Sequence, residues 1–158
     1  MGIRTKIADE VGANAETVIL SALFHDIARV WGVQRDPDLM DKSLETTEEI
    51  MARHGYSTAE IQAVKDAIIP HSCRDGMKPY TEEGRVLATA DALAHLMTDF
   101  YFALWENHWL AGNMTFDDYV AWALKKIERD FHRKIFYDKW RKIAERKYND
   151  LKSHFAQF

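Results

Sequence analysis

Cysteine is almost absent. Cys73 stands alone among 158 residues, which excludes an internal disulfide framework and a cysteine-built zinc site. Proline and glycine are scarce, at three and seven residues, and so few turn formers argue against a sandwich or barrel of short strands. No apolar run approaches the ~20 residues that a membrane-crossing helix needs. No signal-peptide pattern opens the chain either, so the expected compartment is the cytoplasm and no membrane partner is expected. Met1-Gly2 begins like a myristoylation signal, but Lys6 stands where a Ser or Thr is required. A chain of this length buries a core without staples. It reads as a single domain, with a core over 1–110 and a helical extension over 111–158.

Charge is plentiful but unevenly spread. Residues 125–152 hold eleven Lys and Arg against five Asp and Glu, whereas residues 1–124 hold ten against twenty. The plain reading is an acidic core followed by a solvated amphipathic helix. The sharper one is a basic stripe that draws in a phosphate-bearing ligand or nucleic acid. No recognition-helix or stacking signature accompanies the stripe, which disfavours nucleic acid.

Helical periodicity runs through the whole chain, and the fold class read from it is all-α. A short helix over 3–11 stops at Gly12, and Asn14 caps a second over 15–30. A third is expected over 43–54, with Thr46-x-x-Glu49 near its start and Gly55 as its stop. Ser57-x-x-Glu60 is a cleaner capping box, and Pro70 disturbs the helix that it opens. Residues 71–80 form a loop. Thr81 then caps a long helix to 107, and Thr115 starts a final helical region, broken once.

Two carboxylates sit where apolar residues belong. In helix 15–30 the expected buried stripe is Val18, Ile19, Ala22, Leu23, Ile27 and Val30; Asp26 falls inside it and His25 lies on its flank. In the long helix Asp91 falls among Val86, Leu87, Ala90, Leu93, Ala94 and Met97. A carboxylate on an apolar face costs several kcal/mol unless it is paired or metal-bound. For Asp91 the plain alternative is a helix cap or a pair with His95 four residues on. His71 closes the fourth helix after Ala67-Ile68-Ile69-Pro70. Imidazole and carboxylate together suit divalent manganese, iron, zinc or magnesium.

Ala22-Leu23-Phe24-His25-Asp26-Ile27-Ala28-Arg29 resembles the signature helix of the HD-domain metal-dependent phosphohydrolases. Ala67-Ile68-Ile69-Pro70-His71-Ser72 is similar to the Ile-x-x-His-Ser stretch of a short bacterial hydrolase subgroup of that superfamily. Pro79-Tyr80-Thr81-Glu82-Glu83-Gly84, leading to Thr89-Ala90-Asp91-Ala92-Leu93, resembles the same subgroup's approach to its last metal aspartate. The resemblance implies an HD-type helical bundle. It makes His25, Asp26 and Asp91 the metal ligands, and it places Asp26, His71 and Arg29 in the catalytic centre. It aims Arg29 at a substrate phosphate, with Arg74 and Lys78 as weaker candidates. The implied cofactor is a divalent metal ion, and the implied partner is a small phosphorylated substrate such as a nucleotide.

Two departures from the family pattern stand out. No histidine precedes His25, where the first metal ligand of the family lies. The stretch Asp41-Lys42-Ser43-Leu44-Glu45-Thr46 also lacks the further histidine of two-metal members, and His54 is too near the end of its helix. A single, weakened metal site is therefore expected, with residues 3–11 as the tail of a longer helix. The shortage of histidines counts against a di-iron oxygenase and leaves a non-catalytic HD-type binding module as the alternative. Trp105, Trp109, Trp122, Trp140, Phe100, Phe102, Phe131 and Phe136 read as core, with some as candidates for a pocket wall or a homodimer contact. His95, His108, His132 and His154 read as surface or packing residues.

Overall fold

Short polar side chains set where the helices begin. The Asn14 side chain accepts from the Thr17 amide at 2.9 Å, and the Ser57/Glu60 capping box forms with both of its bonds. Thr115 and Asp118 make a second box. Each supplies acceptors to amides that a first helical turn leaves unpartnered. The computed structural model describes residues 2–33, 38–107 and 114–158. Among them run α1 (Ile3–Val11), α2 (Ala15–Phe24), α3 (Asp38–Arg53), α4 (Thr58–Ile68), α5 (Glu82–Met97), α6 (Phe100–Glu106), α7 (Phe116–Arg129) and α8 (Asp138–Phe155). A 3₁₀ turn covers Ile27–Trp31 and a π turn covers Asp130–Lys134. The fold is all-α, with no strand among the described residues. None of the described helices is long and apolar enough to cross a membrane. Trp109 and His108 lie outside the described residues.

The chain sorts into two compact units, Met1–Ala88 and Thr89–Phe158, divided within α5. In the first unit α2 packs on α1, α3 and α4, and α3 also packs on the 3₁₀ turn. Met51, Ile61, Val64, Ile68 and Leu87 form its core, lined by Leu20, Phe24 and Leu44. Gly84 lets α5 approach α4: a Cβ there would sit 3.1 Å from Thr81 Oγ1 and 3.4 Å from the Ala67 Cα. The Asn14 amide donates to Glu83 at 2.9 Å and ties the start of α2 to the start of α5. In the second unit α7, the π turn and α8 pack together. Tyr101, Tyr119, Ile127 and Ile135 are its largest fully buried side chains beside Leu93 and Leu96 of α5.

Several expected elements differ in detail. The helix expected over 15–30 ends at Phe24, and the 3₁₀ turn follows. Because that turn winds tighter than an α-helix, Val30 leaves the buried stripe and is 76% exposed; Leu23, still within α2, is 56% exposed as well. Helix α3 starts at Asp38, so Thr46 is an interior residue and not a cap. The long helix expected from Thr81 to 107 breaks after Met97. Thr98 explains the break: its hydroxyl donates to the Ala94 carbonyl at 2.7 Å and accepts from the Phe100 amide at 3.3 Å, a side-chain substitute for the helical ladder. On α5, Ala92 and Leu96 are buried where Ala94 and Met97 were expected, and Met97 is 41% exposed.

The Ser57 box gives a direct check on this account of helix starts. Ser57→Ala should destabilise the protein by about 1 kcal/mol and lower the melting temperature by roughly 2–4 °C. Thermal unfolding followed by circular dichroism measures it.

Candidate active site

The His-Asp pair sits on a bend. His25 follows the last residue of α2, and Asp26 has left helical geometry at φ −124° and ψ 20°. The Ala28 amide donates to Ser43 of α3 at 3.2 Å, which fixes the 3₁₀ turn to the neighbouring helix. The bend turns Asp26 toward Arg29, whose Nε donates to its carboxylate at 2.8 Å, and both side chains are about half exposed. Asp26 is thus not buried on an apolar stripe. Its charge is compensated within the same turn.

His25 and His71 meet in the first unit. Their rings lie 5.1 Å apart, nearly perpendicular. His25 Nδ1 donates to the Ala22 carbonyl at 3.0 Å, and His71 Nδ1 donates to the Ile68 carbonyl at 2.5 Å. A carbonyl only accepts, so both rings carry the proton on Nδ1 and, when neutral, the lone pair on Nε2. This is the tautomer with which histidine ligates a metal while its other nitrogen is anchored. His71 is buried at 7% exposure. The loop after it bends sharply, with Cys73 and Asp75 in the left-handed region at φ 51° and 50°. Arg74 and Lys78 stand exposed on that loop.

Asp91 belongs to the second unit, where its side chain is only 12% exposed. The Lys134 ammonium donates to its Oδ2, and Oδ1 lies 3.4 Å from His95 Nε2. The pair with His95 is the plain alternative read from the sequence; Lys134 was not foreseen. Both belong to a larger buried network centred on Asp130, which is fully buried. Tyr101 donates to its Oδ2 at 2.9 Å, Lys126 Nζ lies 2.9 Å from the same atom, and His95 Nδ1 lies 3.0 Å away. Lys134 Nζ is 3.9 Å from Oδ1. Burial pushes the Asp130 carboxyl up, but Lys126, Lys134 and His95 outweigh it and hold the group far below the usual carboxylate range. Burial also opposes charge on both lysines. It prevails at Lys126, which is shifted down, whereas Asp91 and Asp130 outweigh it at Lys134, which is shifted up.

The charge pattern reads the basic run that holds Lys126 and Lys134 as a solvated face, and the structure corrects this, since both are buried; His95, read as a surface or packing residue, packs between Asp91 and Asp130. The available signal was the spacing Lys126, Asp130, Lys134, four residues apart each time. In a plain α-helix that spacing drifts around the axis. The π turn over 130–134 winds more residues per turn and brings Lys134 back into line.

The donors of the first unit, two imidazoles of the right tautomer and a carboxylate, have the chemistry a divalent ion requires. Among the described residues no group of three or more His, Cys, Asp or Glu is drawn together as for a metal ion.

The Asp130 network has a measurable signature. Asp130→Asn removes the carboxylate that buried Lys126 pairs with and should cost about 3–5 kcal/mol, whereas exposed His132→Ala should stay within about 0.5 kcal/mol. Because the folded carboxyl titrates below its unfolded value of ~3.9, its contribution is complete above that pH and is lost as pH falls toward the lower folded value. Urea unfolding from pH 5 down to ~2 should therefore show a steep loss of stability in the wild type and a flatter profile in Asp130→Asn.

A family model of the HD domain matches residues 1–96, a stretch that includes His25, Asp26, His71 and Asp91. No curated protein and no solved structure matches the chain. With well over half of its length inside the match, the chain belongs to the HD domain family.

Proposed function

We propose that the chain is a metal-dependent phosphohydrolase acting on a nucleotide or another small phosphate ester. HD domains are typically hydrolytic and generally bind divalent metals. The observation that carries the reading is the His25–His71 pair, each Nδ1 anchored on a backbone carbonyl, with the Asp26–Arg29 turn beginning at the next residue. His25 and Asp26 are the residues of the first unit that would hold the metal. When bound, the ion lowers the pKa of its water and neutralises a phosphate oxygen.

The side chains supply the rest. Buried His71, held by the Ile68 carbonyl, presents its Nε2 in a fixed direction, suited to hydrogen bonding with a phosphate or with attacking water. Arg29 is half exposed and oriented by Asp26 through Nε, so its fork is aimed before substrate arrives. Exposed Arg74 and Lys78 add positive charge on the loop that follows His71, and Arg29 remains the leading phosphate contact.

A second reading, a non-catalytic HD-type module, is favoured by one observation: Asp91 already carries a resident cation in Lys134. A panel of nucleotides and sugar phosphates, assayed for phosphate release with manganese, magnesium or iron, separates the two. The enzyme reading predicts metal-dependent release that falls ~100-fold or more in Asp26→Asn. It also predicts a roughly tenfold higher KM in Arg29→Ala with unchanged circular dichroism. No release with any metal, or release unaffected by Asp26→Asn, would favour the binding module.

A further inference from the structure

A ring of aromatic side chains encloses a pocket in the second unit. The contacts close on themselves: Trp105 to Phe116 at 5.2 Å, Phe116 to Phe158 at 5.2 Å, Phe158 to His154 at 5.6 Å. His154 then meets Phe155 at 5.5 Å, Phe155 meets Tyr119 at 6.2 Å, and Tyr119 returns to Trp105 at 5.1 Å. All six residues line the pocket, together with Tyr101, Phe102 and Glu106.

The polar groups of its floor are turned elsewhere. Tyr101 and Tyr119 are buried, and their hydroxyls donate to Asp130 and to the Tyr101 carbonyl respectively. The two rings back the pocket from beneath, and the surface open to a guest belongs to the rings around them. The walls are open: Phe102 and Phe116 are each 38% exposed, and Phe158 is 66% exposed. A protein surface seldom gathers exposed aromatic area in one place without a partner for it. Glu106, exposed at the rim, is the only Asp, Glu, Lys or Arg in the lining among the described residues.

We propose that this pocket binds a compact organic cation of the quaternary-ammonium class. Aromatic faces are the negative end of a quadrupole and attract a cation held within about 6 Å of the ring centre. The Glu106 carboxylate adds an attraction of the same sign, and an anion is opposed by both. A primary ammonium or a guanidinium brings several N–H donors that need acceptors, and the lining supplies few. A quaternary ammonium brings none. It is weakly hydrated and apolar over its whole surface, which matches walls of ring carbon with one carboxylate at the edge. The lining residues all lie beyond residue 96, the end of the HD match, so this inference stands apart from the phosphohydrolase reading.

Calorimetric titration of the full chain at pH 8 tests the inference with choline and with its uncharged isostere 3,3-dimethylbutan-1-ol. The expected result is saturable choline binding, about tenfold or more tighter than the isostere. Binding should weaken several-fold in Glu106→Gln, whose exposed side chain leaves the fold intact, and disappear in Trp105→Ala. Equal binding of the two compounds, no choline heat up to about 50 mM (weaker than any useful aromatic site), or unchanged affinity in Glu106→Gln would each overturn it.

Discussion

A fully buried carboxylate governs the second unit. Asp130 has no water to solvate it, and an uncompensated charge in that position would cost more than a domain's usual margin of stability. The unit is arranged around that demand. Lys126 and Lys134 turn inward from what would otherwise be a basic surface, Tyr101 points its hydroxyl down, and His95 swings its ring between Asp130 and Asp91. The π turn at 130–134 is the backbone's part in the same arrangement, since it keeps both lysines on one side. Asp91 enters as the second negative member, so the aspartate that the family pattern assigns to a metal is also a counter-ion for a buried ammonium. The floor of the aromatic pocket follows too: the buried Tyr101 ring lies beneath it with its hydroxyl committed to Asp130.

The first unit solves a smaller problem. A histidine that is to present Nε2 needs its Nδ1 anchored, and both His25 and His71 find that anchor in the carbonyl three residues earlier. Each sits just past the end of a helix, where carbonyls lack helical partners. The end of α2 and the break at Pro70 are therefore parts of the site, because they supply acceptors that an uninterrupted helix would consume. Arg29 neutralises Asp26 across one 3₁₀ turn, in which side chains three apart nearly eclipse.

What the sequence made legible follows from how local each signal is. The all-α class, the stop at Gly12, the Ser57 box, the helix start at Thr115 and the break near Pro70 were readable because each depends on a few neighbouring residues. HD-family membership was readable because its signals, His25-Asp26, the stretch around His71 and the approach to Asp91, are short strings of neighbouring residues, all inside the matched 1–96. The bend at His25 was not, since periodicity alone continues smoothly from Val18 to Val30. The fate of Lys126 and Lys134 was not either: charge runs read as solvated, and what reverses that is the burial of Asp130, four residues from each lysine, together with the distant pairings of Lys134 with Asp91 and of His95 with Asp130, 43 and 35 residues apart. Thr98 breaking the long helix was missed for a related reason, because a threonine interrupts a helix only when its hydroxyl replaces the backbone bonds.

The central claim is that His25 and its neighbours are poised to hold a divalent ion. Titration of the purified chain with Mn²⁺, followed by the electron paramagnetic resonance signal of free manganese, tests it without reference to any substrate. The account predicts uptake that saturates near roughly one ion per chain and is lost in His25→Ala while the helical circular dichroism is retained. Free manganese undiminished by the wild-type chain, or identical uptake by the variant, would contradict it.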